Sequence, residues 1–161
     1  MEEKISRICG LLDEIKSELL CFEQETIEII SCDTDSIEEH TENRVKITEK
    51  MDVVFKEIDR ICIDMDGGAE IRKIIRNVSM FTTVEPRFEP VFFKAQGIFS
   101  ILNRIKDSDV QAIGRINIER EVLLKKIREM NNGQEAKASK FAAGTDLSFN
   151  SRYFGQSKKA V

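Results

Sequence analysis

The sequence predicts an all-α chain: an antiparallel helical hairpin within an up-down helical bundle of coiled-coil-like packing, followed by a flexible C-terminal tail. Three observations predict it. Apolar residues recur at alternating spacings of three and four over most of the chain, the stripe of helices packed against helices. The gaps between runs carry helix punctuation: CDTDS, then Asp66-Gly67-Gly68, then two prolines in VEPRFEP. The closing stretch, NNGQEAKASKFAAGTDLSFNSRYFGQSKKAV, loses the apolar beat altogether.

The first run is Ile5, Ile8, Leu12, Ile15, Leu19, Phe22, Thr26 and Ile29. The second is Ile37, His40, Arg44, Ile47, Met51, Val54, Ile58, Ile61 and Met65. Between them, Asp33 or Asp35 can accept hydrogen bonds from the first free amides of a new helix. Ser36 with Glu39 has capping-box spacing, and Asp35 with Glu38 fits equally well. Two arms of about 28 residues follow, each roughly 42 Å long. Tandem glycine ends the second arm, because glycine continues a helix poorly and reaches left-handed backbone easily. A short amphipathic piece then carries Ile71, Ile74, Ile75, Val78 and Phe81. Past the proline-rich break, Pro90 suits the first turn of a helix, where its missing N–H is not needed.

From about 90 to 131 the stripe resumes as Phe92, Ala95, Phe99, Leu102, Lys106, Asp109, Ile113, Ile116, Arg120, Leu123, Ile127 and Met130. Lys106 and Asp109 interrupt its apolar character, and KDSDV resembles the earlier CDTDS turn. That predicts a break at Asp107–Asp109 and a closed four-helix bundle. An unbroken helix would instead run roughly 60 Å, overhang the first hairpin by about 18 Å, and leave Leu123, Ile127 and Met130 uncovered. The domain reading is a helical bundle over 1–131 and an aromatic, basic tail over 132–161.

Composition narrows the function. The chain has a formal net charge of −4, but from residue 131 on there are five basic side chains against two acidic ones, so the body carries −7 and the tail +3. An acidic body argues against nucleic acid as the ligand, since phosphate binding needs clustered Lys and Arg. No apolar run approaches the roughly 20 residues of a membrane span, and MEEKISRICG lacks a basic-then-apolar signal segment. The four cysteines are widely separated, which fits reduced thiols and a cytoplasmic location.

No catalytic arrangement stands out, so the expectation is a protein that is not an enzyme and uses no metal or cofactor. His40 is the sole histidine. The E-x-x-H spacing of bundle di-iron sites fails there, because position 37 is isoleucine. His40 reads as a polar seam residue near Arg44 that fixes helix register. Asp33-Thr34-Asp35 and Asp64-Met65-Asp66-Gly67 lack the later ligands of a calcium loop and read as caps. The tail is different. Four aromatic residues, Phe141, Phe149, Tyr153 and Phe154, are rich for an inert linker, and aromatic anchors point to partner binding.

The segment ETIEIISCDTDSIEEHTENRVKITEKMDVVFKEIDRI, with the ending VLLKKIREMNNGQEAKASKF and SRYFGQSKK, resembles flagellar export chaperones of the FlgN and FliT kind. The resemblance covers nearly the whole chain; the piece from Ile71 to Pro90 departs from the simplest pattern. It implies a cytosolic chaperone that binds the C-terminal amphipathic helix of a secreted flagellar subunit, of hook-associated or filament-cap type. Such a chaperone blocks premature assembly and delivers the subunit to the export gate. A client helix would lie in a groove lined by Ile113, Ile116, Leu123, Leu124, Ile127 and Met130. Phe141, Phe149, Tyr153 and Phe154 would fold over it or fill the empty groove. Tyr153, the sole tyrosine, is the candidate for contact with the export gate. The alternative is a non-catalytic homodimeric coiled-coil adaptor whose stripes pair with a second copy.

Overall fold

Thirty residues free of proline form α1, Glu2–Ser31, with Glu2 and Glu3 at the positive end of the helix dipole. The structure, a computed structural model, describes the backbone of residues 1–153 and the side chains of residues 1–140. A single 3-10 turn, Thr34–Ser36, reverses the chain into α2, Ile37–Ile63. A short α3, Gly68–Ile75, follows, then two more 3-10 turns at Phe81–Thr83 and Pro86–Phe88. The last helix, α4, runs Glu89–Tyr153. The fold is all-α, and no strand occurs among the described residues.

Contacts divide the chain into two units, Met1–Ile116 and Asn117–Val161. In the first, α1 and α2 are antiparallel: Lys4 reaches the carbonyl of Asp64, Glu18 pairs with Lys50, and Glu25 meets His40. The opening part of α4 runs parallel to α1, since Lys94 binds Asp13, Arg104 binds Glu23, and Arg115 binds the carbonyls of Ile30 and Cys32. Three long helical segments thus alternate in direction, and α3 with its connecting turns closes one end.

The core follows the predicted stripes on α1 and α2. Ile5, Ile8, Leu12, Ile15, Leu19 and Ile29 are buried, joined by Thr26, whose hydroxyl donates to the carbonyl of Phe22 at 2.8 Å. On α2, Ile47, Met51, Val54 and Ile58 are buried, and Cys62 joins them. Burying each large aliphatic side chain contributes about 1.5–3 kcal/mol, so these rows hold the hairpin together.

The tandem glycine ends α2 as expected, and the structure says why both are needed. Gly67 has φ 77°, and a Cβ there would overlap the ring of Phe88, which is wholly buried. Gly68 lies against the carbonyl of Cys62, leaving no room for a side chain. At the far end of α3, Asn77 takes φ 58°. Its N–H donates to Ile74 and that of Val78 to Lys73, so a Schellman motif satisfies two end carbonyls.

On α4 the expected break does not occur. The helix is continuous through Asp107, Ser108 and Asp109. The reason is a shift of the seam by about one residue. The buried positions are Val91, Phe92, Ala95, Ile98, Ile101, Ile105 and Ala112, whereas Leu102 is exposed and Phe99 only half-buried. On this phase Lys106 is not a core position at all. Asp109 lies at the edge of the seam, where its carboxylate accepts from Arg44 at 2.6 Å. The polar pair that looked like a fault is a flank, with Ser108 returning its hydroxyl to the carbonyl of Arg104 at 3.2 Å. The helix likewise passes residues 131 and 132 without interruption.

Candidate functional site

Two features distinguish the later part of α4 and its surroundings: a polar layer set into the bundle interior near the α1–α2 reversal, and a helical face that is exposed among the described residues. In the first unit, apolar layers continue from Ile5 and Phe88 to Leu19, Ile47 and Ile105. Beyond them polar side chains enter the interior beside buried Thr26, Ile29 and Ala112. His40 Nδ1 donates to Glu25 at 2.7 Å, and the Asn43 amide donates to both oxygens of the same carboxylate at 3.4 Å. The guanidinium of Arg44 stacks over Phe22 at 4.3 Å while donating to Asp109. Cation–π contact and a charge-assisted hydrogen bond hold one side chain in a single pose.

Arg115 completes this layer. Its two amino groups donate to the carbonyls of Ile30 and Cys32 at 3.1 and 3.2 Å. α1 has no basic residue in its last turn, so its exposed carbonyls take their cation from α4, 85 and 83 residues along the chain. His40 therefore sits where a seam residue was expected, beside Arg44. Among the described residues no group of three or more His, Cys, Asp or Glu side chains is placed to hold a metal ion.

The six predicted groove residues all lie on α4, and at 100° per residue they occupy about a third of its circumference. Ile113 is exposed and Ile116 half-buried in the first unit. In the second unit Leu123 is 48 % exposed, Ile127 47 % and Met130 61 %, with Leu124 half-buried. The heptad phase of Ala95 continues at Ile116, Leu123 and Met130. Among the described residues none after Ala112 is buried, so the core-type stripe continues on side chains that are exposed or half-buried. Ile118 and Val122 are also exposed, at 63 % and 42 %.

Phe141, Phe149 and Tyr153 fall on the backbone of α4, but their side chains lie outside the described residues, as does the whole of Phe154. Their part in a groove is therefore not placed. The sequence reading missed the polar layer as a unit. Asp109, Arg115, Glu25 and Asn43 each look like ordinary solvated helix residues, and only tertiary pairing across up to 85 residues unites them.

Cysteine chemistry is not concentrated anywhere. All four thiols are free, and burial pushes those of Cys9 and Cys62 above their ordinary range. No described helix is long and apolar enough to cross a membrane. Compared with known protein families, curated proteins and solved structures, the chain matches none.

Proposed function

We propose that this protein is a cytosolic export chaperone that binds the C-terminal amphipathic helix of a secreted flagellar subunit on the uncovered face of α4. One observation carries the reading. Leu123, Ile127 and Met130 repeat at core spacing on a helix yet stand 48 %, 47 % and 61 % exposed. A contiguous row of such side chains is costly to leave in water and suits an apolar helix laid alongside. The resemblance of the hairpin and of SRYFGQSKK to flagellar export chaperones supplies the class of client. Covering the client's assembly helix keeps the subunit from polymerising early, and Tyr153 with Phe154 then offers the contact for the export gate. The reading needs no reaction and no cofactor.

The test is calorimetric titration of the purified chain with synthetic C-terminal segments of hook-associated and filament-cap subunits. A one-to-one complex is expected. Leu123→Ser with Ile127→Ser should leave the bundle folded and remove about 2–4 kcal/mol of binding, roughly 30-fold to 1000-fold in Kd. Tyr153→Ala with Phe154→Ala should weaken that binding or lower motility, and unchanged behaviour in both would count against a role for the two residues. If no segment binds, or the double serine variant binds as well as the parent, the proposal fails. A concentration-dependent dimer abolished by the same two serines would favour the homodimeric adaptor, since a heptad face serves a second copy equally well.

A further inference from the structure

The first unit has another uncovered surface, around α3, and its chemistry differs from that of α4. A recess of about 350 Å³ lies between α2 and α3, floored by Phe55, Ile58 and Ile75 and edged by Asp59, Arg72 and Arg76. Arg72 is held loosely: its Nε stands 3.4 Å from the Asp59 carboxylate, and its Nη2 is 3.4 Å from the Asp59 carbonyl. Both distances are long for a hydrogen bond. Arg76 is exposed, and no described acidic side chain lies within ion-pair distance of it. Lys94 is engaged by Asp13, and Arg87 by Glu85 and Asp66, whereas Lys73, also on α3, is exposed. The recess thus concentrates positive charge in a body that carries net negative charge.

From Arg76 the chain leads directly to exposed apolar side chains. Asn77 is fixed by Gln96 of α4 at 3.0 Å. Val78 and Met80 then stand 71 % and 74 % exposed. Phe81 packs on Phe92 and Phe93 with ring centroids 5.5 and 5.6 Å apart, while Phe93 remains 59 % exposed. A cationic recess is thus followed along the chain by a strip of exposed methionine and phenylalanine. Methionine adapts to varied partners, and exposed aromatic rings supply rigid contact area.

We propose that this strip docks an acidic amphipathic segment of a partner polypeptide, its carboxylate on Arg76 and Arg72 and its apolar side chains on Phe55, Met80, Phe81 and Phe93. Charge selects this occupant. Arg76 has no acidic partner among the described residues, and Asp59 alone does not balance Arg72 and Arg76, so a carboxylate is the complementary group. A carboxylate flanked by leucine or phenylalanine matches the recess and the strip at once. The surface belongs to Met1–Ile116 and is independent of whether α4 takes a client.

The probe is a short, capped, fluorescein-labelled helical peptide with a leucine face edged by glutamate, compared with the same peptide bearing glutamine. Anisotropy titration should show saturable binding of the glutamate peptide, weakening with salt. Arg76→Glu should weaken it by about tenfold and leave the glutamine peptide unchanged. Phe93→Ser should weaken both, whereas Met130→Ser should change neither, which separates this surface from the α4 face. Both Arg76 and Phe93 are exposed, so neither variant threatens the fold. Equal binding of the two peptides, or no saturable binding, overturns the proposal. So does a concentration-dependent dimer that Phe93→Ser abolishes, which would give the strip to a second copy.

Discussion

Replacing Asp107 with proline tests the continuity of α4 directly. Asp107 is exposed, so the substitution removes no core contact and acts on the backbone alone. In an uninterrupted helix the proline deletes the hydrogen bond from residue 107 to the carbonyl of Asn103, and its ring collides with that carbonyl. The cost is about 3 kcal/mol or more. Asp107→Ala, the control, should gain a few tenths of a kcal/mol from helix propensity. With a urea slope of about 1–3 kcal/mol per molar for a chain of this size, the proline variant should unfold at roughly 1–3 M less urea. Circular dichroism during urea titration reads both the midpoint and the helix lost before the transition. A proline variant within about 0.5 kcal/mol of the parent, with unchanged ellipticity, would mean that residues 107–109 form a turn after all. The shifted seam of Ile101, Ile105 and Ala112 would then be wrong.

Four further outcomes are expected. Gly67→Ala should destabilise by about 2–5 kcal/mol, combining left-handed strain with overlap on Phe88. Gly10→Ala, mid-helix with open space around its Cβ, should stabilise by about 0.5–1 kcal/mol, both read by thermal or urea unfolding. The Arg104 guanidinium, bonded to both oxygens of Glu23 at 2.8 Å, holds that carboxyl below its ordinary range. A depressed carboxyl contributes stability above its unfolded pKa and loses it as pH falls through the folded value. The stability gap between the parent and Glu23→Gln should therefore exist at neutral pH and close in acid; a gap constant with pH would refute the pairing. Finally, thiol-specific labelling at neutral pH should reach exposed Cys21 first and Cys62 last, since the latter is 3 % exposed and its thiol is harder to ionise.

The hairpin was legible because its signals agree at each level. Ile5, Ile8, Leu12, Ile15 and Leu19 are apolar at core spacing, and buried Leu11 widens the same face. Gly67-Gly68 could only end a helix. α4 was harder, because two apolar rows lie side by side on it. Val91, Ile98 and Ile105 form one row, and Phe92, Phe99 and Leu102 form the other. Bulk favours the aromatic row, but packing against α1 and α2 buries the first row with Phe92 alone of the second, and periodicity is blind to a rotation that small. That rotation turned Lys106 and Asp109 from apparent core breakers into flanking residues. The exposed face around Leu123 and Ile127 was visible as surplus hydrophobicity. The strip at Met80 and Phe93 was not, since its members come from a connecting segment and from α4 and meet only through Phe81.

The long reach of Arg115 has a consequence for anyone cutting the molecule down. A fragment ending near Asp66 would retain both arms of the hairpin but lose the guanidinium that closes the last carbonyls of α1, along with Phe88, Val91 and Ile98 against its flank. The two arms should then fray from the Ser31–Asp33 reversal inward.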